Sequence, residues 1–403
     1  MEIIERPAYL ERIISRLNRG MILILTGQRR VGKSYVLLQL QRWLQAAHPA
    51  ANVLYINKEL QEFRALTTAS ELYDYVAERI PSGGDNYLLI DEVQNVADYQ
   101  NALRSLQAEE RCQIVATGSN AYVFSSEIST RLAGRYIEIP VYSLSYQEFL
   151  TFHHLDDSDA SLLSYLRVGG LPGLRHFDIA DESQVRDYLQ GVYTTVMMRD
   201  VVSREQVRNV TFVENLSHFI ADNIGKPISV LNIANTIKAQ GGKETATLTS
   251  TYLKYLCNAL IINQVNRYDV RGKRLFEQNF KYYFADHGLR NYLCGFNLRA
   301  SIEKVIENVI YNHLRRRGFT VAVGILRAGE IDFVATRGSD TIYVQAAYLL
   351  ANESTIQREF GNLTKIGDSF PKYVVSMDSL PGSPADFPGI RAVALRHFLQ
   401  LDL

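Results

Sequence analysis

The segment MILILTGQRRVGKSYVLLQLQRWL, residues 21–44, constrains the fold of this chain more than any other part of the sequence. It opens with a continuous apolar run, which is typical of a buried parallel strand. The part GQRRVGKS, residues 27–34, matches the pattern G-x-x-x-x-G-K-[ST], and apolar residues at helical spacing follow it. A strand, a glycine-rich loop and a helix in this order predict a phosphate-binding P-loop in an α/β domain with a parallel sheet.

The residues of this loop have separate predicted roles in holding a nucleotide. Gly27 and Gly32 allow backbone N–H groups to turn toward phosphate oxygens. Lys33 is expected to reach the β- and γ-phosphates and to assist catalysis, and Ser34 is expected to ligate Mg²⁺. The predicted cofactors are therefore ATP or ADP together with Mg²⁺. The predicted nucleotide-contacting residues of the loop are Gly27, Gln28, Arg29, Arg30, Val31, Gly32, Lys33, Ser34 and Tyr35.

Two later strands end in polar residues that suit the same site. NYLLIDE places Asp91 and Glu92 after a buried apolar stretch, and open α/β sheets bind ligands at such strand ends. Asp91 is predicted to hold Mg²⁺ through water, and Glu92 to orient and deprotonate the attacking water. The next strand ends in TGSN, where Ser119 or Asn120 could contact the γ-phosphate or that water. The residues alone do not decide between these two, and the alternative for either is a helix N-cap.

Four stretches, GQRRVGKS, LLIDE, TGSN and RLAGR, together resemble the AAA+ ATPases. The resemblance is to a bacterial and archaeal family of stand-alone ATP-binding proteins whose C-terminal half is a domain of unknown function. It covers nearly the whole chain, is specific in the N-terminal motifs and is looser beyond residue 200. It implies an AAA+ P-loop ATPase core at residues 1–145 that hydrolyses ATP with Mg²⁺.

Two arginines of the RLAGR stretch, Arg131 and Arg135, are four residues apart and would share one face of a helix. An arginine just before the last strand of an AAA+ core commonly completes the neighbouring subunit's site. The resemblance therefore implies that one of the two is catalytic in trans, in which case hydrolysis needs a homo-oligomer such as a ring. The alternative is a contact within one subunit, and the sequence does not choose between the two arginines.

The next region, residues 146–208, is predicted to be a small helical lid and linker. Within it, YLRVGGLPGLRHF places Gly169 and Gly170 before Pro172. In signalling ATPases that resemble this chain, such a turn packs its proline on the adenine and relates the nucleotide state to the domain behind it. Pro172 is therefore a candidate nucleotide-binding residue, and the alternative is a turn that only breaks a helix. Arg6 and Pro7, before the first helix, are candidates for the other side of the adenine pocket.

Residues 209–295 follow the order helix, helix, hairpin, which is that of a winged helix-turn-helix. The second helix is predicted to begin near Thr247, and two strands are predicted to flank a turn that contains Gly272. The basic residues of this hairpin are Arg267, Arg271, Lys273 and Arg274. DNA is therefore one predicted partner, and the alternative is a module that packs against protein.

Residues 296–403 resemble a restriction-endonuclease-like α/β domain that has lost part of its active site. Glu307, on an amphipathic helix, and Asp332, on a strand, match two positions of the PD-(D/E)xK pattern. Gln345 and Ala347 stand where a carboxylate and the lysine belong, and no lysine is expected nearby because the later lysines lie on other elements. The module is therefore predicted to bind a protein or nucleic acid rather than to cut DNA.

The overall composition limits these hypotheses. Lys plus Arg and Asp plus Glu both number 43, so any nucleic-acid binding must come from a local patch. The three cysteines show no metal-ligand spacing, the N-terminus does not resemble a signal peptide, and the apolar runs are too short to span a bilayer. We therefore expect a cytoplasmic protein without a membrane partner.

Three functions are consistent with these residues. The first is an oligomeric, Mg²⁺-dependent ATPase that moves the winged helix and the C-terminal module, which bind nucleic acid or a protein. The second is an ATP-gated nuclease that acts on DNA. The third is a signalling switch that holds ADP, hydrolyses ATP slowly and binds an unidentified protein.

Overall fold

The computed structural model describes residues 3–119, 132, 134–239, 245–327, 329–378 and 386–403. The chain forms two compact units. The first, here called the P-loop unit, contains residues 1–143 and 258–260, and the second, the C-terminal unit, contains residues 144–257 and 261–403. The border at 143/144 lies two residues before the predicted end of the ATPase core.

A parallel sheet forms the centre of the P-loop unit. Its strands are β1 (Ile22–Thr26), β2 (Asn52–Asn57), β3 (Asn86–Asp91), β4 (Gln113–Gly118) and β5 (Tyr136–Pro140). They are arranged in the order β2-β3-β4-β1-β5. The apolar runs before the P-loop and before Asp91 predicted the inner strands β1 and β3, because a parallel strand that is covered on both faces needs apolar side chains along its length. Because β1 lies between β4 and β5, the loop that follows it leaves the sheet from an inner strand.

Helices cover this sheet. They are α1 (Pro7–Ile14), α2 (Lys33–Ala47), α3 (Ala69–Arg79) and α4 (Tyr99–Ala108). α3 begins at a capping box in which Thr68 and Glu71 satisfy each other's backbone N–H groups. One hydrophobic core packs Leu72 of α3 and Leu103 of α4 against Ile90 of β3. This packing holds the end of β3, and with it the acidic pair, at a fixed place.

The remaining helices belong to the later part of the chain. They are α5 (Tyr146–His153), α6 (Asp159–Val168), α7 (Glu182–Val196), α8 (Val210–Asp222), α9 (Val230–Ala239), α10 (Ala246–Asn258), α11 (His287–Leu293), α12 (Ile302–Arg316), α13 (Glu353–Leu363) and α14 (Leu395–Phe398). α9, α10 and the hairpin that follows occur in the order predicted for a winged helix. In the part of the chain that the structure describes, no helix is long and apolar enough to cross a lipid bilayer.

The sheet of the C-terminal unit joins two regions that sequence analysis separated. Its strands are β6 (Ile262–Asp269), β7 (Arg274–Phe284), β8 (Thr320–Leu326), β9 (Gly329–Arg337), β10 (Asp340–Ala346), β11 (Lys372–Ser376) and β12 (Ile390–Ala394). They form one sheet in the order β12-β11-β10-β9-β8-β6-β7. Tyr268 of β6 pairs in parallel with Gly324 of β8. This pairing gives β6 a partner along an edge that would otherwise stay open. The predicted division at 295/296 therefore falls within one sheet.

The start of α11 fixes the turn at Gly169 and Gly170 within the C-terminal unit. The backbone N–H of Gly170 donates to Asp286 Oδ2 at 2.9 Å. The ring Nε2 of His287 donates to the carbonyl oxygen of Tyr165 at 2.7 Å. Gly169 has φ +84°, and a Cβ on it would lie 2.5 Å from Asp286 Oδ1. β7 ends two residues before Asp286, so these hydrogen bonds connect the glycine turn to the end of a strand of this sheet.

Candidate functional site

The loop between β1 and α2 has a backbone that requires glycine. Gly27 has φ +148°, and a Cβ on it would lie 2.1 Å from the carbonyl oxygen of Val141, so no larger residue fits. Arg30 also has a positive φ, 68°, which is uncommon outside glycine. Gly32 is the N-cap of α2 and has no side chain with which to cap it. The first N–H groups of this helix therefore form a ready site for an anion.

Lys33, the first residue of α2, lies over this loop. Its side chain is buried, and Nζ donates to the carbonyl oxygens of Gly27 at 2.9 Å and Gln28 at 3.0 Å. Gln28 is 2% exposed, and neither atom of its side-chain amide has a hydrogen-bond partner among the described residues. A buried amide without partners is costly. The loop therefore fits a polar ligand, such as a phosphate group, that would satisfy this amide.

Thr117 of β4 joins the two acidic residues at the end of β3. Its hydroxyl donates to Asp91 Oδ1 at 2.6 Å and accepts from the backbone N–H of Glu92 at 2.9 Å. The Ser34 side chain also hydrogen-bonds with the Asp91 carboxylate. Burial raises the pKa of Asp91, while the hydrogen bonds from Thr117 and Ser34 oppose that rise. The structure thus brings the two predicted Mg²⁺ ligands, Ser34 and Asp91, into contact, and both offer the oxygen atoms that this ion prefers.

Glu92, the predicted general base, is held by a neighbour. Its backbone is left-handed, with φ 56°, and its side chain is buried. The amide nitrogen of Gln94 donates to Glu92 Oε2 and, at 3.0 Å, to Ser119 Oγ. Backbone conformations of this kind are strained and concentrate at functional sites. Gln94 therefore links the predicted base to Ser119, one of the two candidates at the end of β4.

The other predicted residues of the loop have varied surroundings. Arg29 forms an ion pair with Glu59, with 3.6 Å between Nη1 and Oε1. Val31 is buried, whereas Arg30 and Tyr35 are exposed. Contact between a nucleotide and either exposed side chain stays a prediction.

The remaining candidates lie farther along the chain. Arg135 is exposed and directly precedes β5. Pro172 is half-buried and begins a short 3₁₀ helix, Pro172–His176, in the C-terminal unit. Asn120 and Arg131 lie outside the described residues, so the choice between Ser119 and Asn120 and that between the two arginines stay predictions.

Sequence analysis missed two residues that shape this site, Thr117 and Gln94, and it predicted Arg6 only as a residue of the adenine pocket. Arg6 is buried, and its guanidinium donates to the carbonyl oxygens of Val31 at 2.9 Å and Tyr142 at 3.1 Å. Thr117 could have been found from the alternation of β4, because it shares a face with the polar residue two positions later. The sequence carries no signal for these two contacts of Arg6, since a backbone carbonyl accepts hydrogen bonds whatever residue carries it.

Comparison with known proteins identifies the family. Residues 19–150 match a family model described as an AAA domain. Residues 159–300 match a model described as a domain of unknown function. A protein of Haemophilus influenzae, described as uncharacterized, is 33% identical over 379 residues, which is 93% of each chain. The chain belongs to the AAA family.

Other proteins similar to this AAA protein span most of its length. An uncharacterized protein of Methanocaldococcus jannaschii is 28% identical over 376 residues, which is 89% of this chain and 82% of that protein. The Walker-type ATPase PABY2304 of Pyrococcus abyssi aligns with a TM-score of 0.48 and 16% identity, over 71% of this chain and 94% of that one. The structure of the Aeropyrum pernix ORC1 protein in complex with DNA aligns with a TM-score of 0.31 and 16% identity, over 75% of this chain and 95% of that one.

In this AAA protein, the acidic residues predicted in the C-terminal module also come together. Glu307 lies on α12 and Asp332 on β9, and the backbone N–H of Asp332 donates to Gln345 Oε1 at 3.3 Å. Ala347 is buried. The expectation that no lysine lies nearby is wrong, because Lys281 Nζ lies 3.1 Å from Glu307 Oε1 and 3.8 Å from Asp332 Oδ1. Lys281 is on β7, and the pairing of β6 with β8 brings that hairpin into the module's sheet.

Proposed function

We propose that this AAA protein is an Mg²⁺-dependent ATPase that acts as a homo-oligomer. ATP binding and hydrolysis move its C-terminal unit, which binds nucleic acid or a protein partner. The observation that carries the proposal is the pair of hydrogen bonds made by the Thr117 hydroxyl to Asp91 and Glu92. They hold the carboxylate of Asp91 and the backbone of Glu92, so that Asp91 can serve the metal while the side chain of Glu92 serves the attacking water.

Each residue of the site has a role that its surroundings support. Lys33 and the N-terminus of α2 bind phosphate oxygens, and the Gln28 amide provides one more polar contact. Ser34 and Asp91 hold Mg²⁺, and Glu92 takes the proton of the water. When bound, Mg²⁺ would stabilise the negative charge on the phosphate oxygens.

A short stretch of chain supports coupling between the loop and the C-terminal unit. Arg6 holds the loop at Val31 and also holds the carbonyl oxygen of Tyr142. Two residues later, the Leu144 carbonyl accepts a hydrogen bond from the Tyr165 hydroxyl at 2.9 Å, within the C-terminal unit. A change in the loop backbone during ATP turnover would therefore pass into the C-terminal unit through a few residues.

The proposed partners rest on exposed cations. Arg135 is exposed, so its guanidinium is available to complete the site of a neighbouring subunit. At the turn between β6 and β7, Arg271, Lys273 and Arg274 are exposed together, which supports contact with the phosphates of a nucleic acid. The same turn could instead meet an acidic protein surface.

The test of the ATPase is a comparison of Lys33→Ala and Glu92→Gln with the wild type. We expect Lys33→Ala to bind nucleotide weakly and to lose turnover by about 100-fold or more. Glu92→Gln should keep its nucleotide affinity and lose turnover by about 100-fold or more, because it removes the base but not the phosphate contacts. Phosphate release measures turnover, and titration with a fluorescent nucleotide measures affinity.

Arg42→Ala is the matched control, because Arg42 is an exposed cation on the same helix as Lys33. It should change neither quantity. The ATPase proposal fails if the purified wild type binds no nucleotide, or if Glu92→Gln hydrolyses ATP at the wild-type rate.

A second candidate function is a slow switch that holds ADP and binds a protein. The hydrogen bond from Gln94 to Glu92 favours it, because a base that already accepts a hydrogen bond is less available to water. ADP that co-purifies with the protein, together with slow turnover, would support the switch. Rapid turnover without retained ADP would support the oligomeric ATPase.

A further inference from the structure

Lys281 of β7 is a buried cation surrounded by acidic side chains. It is 2% exposed, and its Nζ lies 2.7 Å from Glu330 Oε1, 3.1 Å from Glu307 Oε1 and 3.8 Å from Asp332 Oδ1. An ammonium group has three N–H donors, and the carboxylates of Glu330 and Glu307 are within hydrogen-bond distance of it, while Asp332 lies farther away. Burial alone would lower the pKa of Lys281, but the nearby carboxylates outweigh burial and raise it above its ordinary value. The side chain is therefore a cation at neutral pH.

Further hydrogen bonds hold these carboxylates in place. The Tyr283 hydroxyl donates to Glu307 Oε1 at 2.5 Å, and the backbone N–H of Ala346 donates to Asp332 Oδ2 at 2.8 Å. The amide of Gln345 is also in use, because its nitrogen donates to Glu359 Oε2 at 2.9 Å. The cluster is thus a set of fixed, mutually bonded groups and not a loose acidic surface.

A divalent metal, which a nuclease-like module would imply, does not fit this cluster. Mg²⁺ binds carboxylate oxygens at about 2.0–2.1 Å. The Lys281 ammonium already occupies the Oε1 atoms of Glu307 and Glu330 that such an ion would use, and it would repel a second cation.

We propose that the Lys281 ammonium is the resident cation of this cluster, where it takes the place of a divalent metal and keeps metal out. The same ion pairs join the β6–β7 hairpin to α12 and β9. The hairpin and residues 296–403 therefore act as one binding unit that needs no metal ion. This proposal goes beyond the ATPase function and does not depend on it, because every residue involved lies in the C-terminal unit.

The test is a Mn²⁺ titration of the nucleotide-free, full-length protein, with free Mn²⁺ measured by electron paramagnetic resonance. Lys281→Met leaves the acidic side chains of Glu307, Glu330 and Asp332 without their cation, so we expect it to gain a Mn²⁺ site with at least about ten-fold tighter binding than the wild type. Mn²⁺ should also raise the unfolding temperature of this variant and not that of the wild type. Lys281→Arg keeps the charge and should gain no site.

The double variant Lys281→Met/Asp332→Asn should lose the gained site, which assigns the binding to this cluster. The proposal is overturned if folded Lys281→Met, or Lys281→Gln should the first not fold, binds Mn²⁺ no better than the wild type. It is also overturned if the wild type itself has a Mn²⁺ site, or Mn²⁺-dependent DNA cleavage, that Asp332→Asn removes. This comparison of the wild type with Asp332→Asn needs no Lys281 variant. If it shows neither such a Mn²⁺ site nor such cleavage, the proposal is supported.

Discussion

At the residue scale, the side chain of Gln94 is unusual because its amide nitrogen donates to both Glu92 and Ser119. Glu92 needs a free carboxylate oxygen to take a proton from water. A hydrogen bond from Gln94 competes for that oxygen. Glu92 also has a left-handed backbone, and Gln94 lies two residues farther along the chain.

Gln94→Met removes the donor and nearly keeps the volume of the side chain. If Gln94 restrains the base, kcat should rise by about three- to ten-fold, since a general base contributes up to about 10²–10⁴ in rate when it is free to act. Nucleotide affinity should not change. Steady-state phosphate release over a range of ATP concentrations separates the two quantities. A fall in kcat would instead show that Gln94 positions Glu92 for its task.

At the element scale, the glycine turn before the 3₁₀ helix depends on α11. Gly169→Ala would strain a left-handed backbone and press a Cβ against Asp286. We expect the C-terminal unit to lose about 2–4 kcal/mol of unfolding free energy. Urea unfolding followed by circular dichroism measures this loss, and the fluorescence of Trp43, the single tryptophan, follows the P-loop unit separately.

Gly191→Ala is the control for that change. Gly191 lies within α7, and a Cβ on it meets no atom within 4 Å. In an open helical position, alanine should stabilise the protein by up to about 1 kcal/mol. Equal losses from both variants would contradict the assignment of the effect to Asp286.

The lysine-centred cluster should give stability a dependence on pH. Burial, with the Glu307 carboxylate, raises the pKa of Asp332 to about 8, although Lys281 opposes the rise. The folded carboxyl therefore keeps a proton that the unfolded chain loses near pH 4. Its contribution to the unfolding free energy is full below pH 4 and falls as the pH rises toward about 8. Asp332→Asn, which cannot titrate, should flatten the measured slope of unfolding free energy against pH.

At the scale of the whole molecule, the central question is assembly. If Arg135 completes a neighbour's site, the protein should form an oligomer with a slowly hydrolysed ATP analogue, detectable by size-exclusion chromatography with mass measurement. Arg135→Ala should still bind nucleotide and lose about 10³-fold or more in kcat. Arg104→Ala, an exposed cation on α4, is the control. A monomer with full activity at every concentration would contradict a site completed in trans.

The sequence by itself determined the local features of this protein. The P-loop, the apolar strands and the acidic pair at the end of β3 each follow from a motif or a period within a few residues. The same holds for the hairpin and for the positions of Glu307 and Asp332. The strands predicted before the P-loop and before the acidic pair are both present, because their burial is encoded in their own side chains.

Only the tertiary structure decided which of these features meet. Thr117 bonds Asp91 across two neighbouring strands, 26 residues apart in sequence. Lys281 reaches Glu307 over the same separation, because the hairpin pairs with β8 and so enters the C-terminal sheet. Such contacts depend on the order of strands in a sheet, and no period or motif of the chain records that order. For this reason the sequence predicted a nuclease-like module without a lysine, whereas the fold supplies a lysine from a different hairpin.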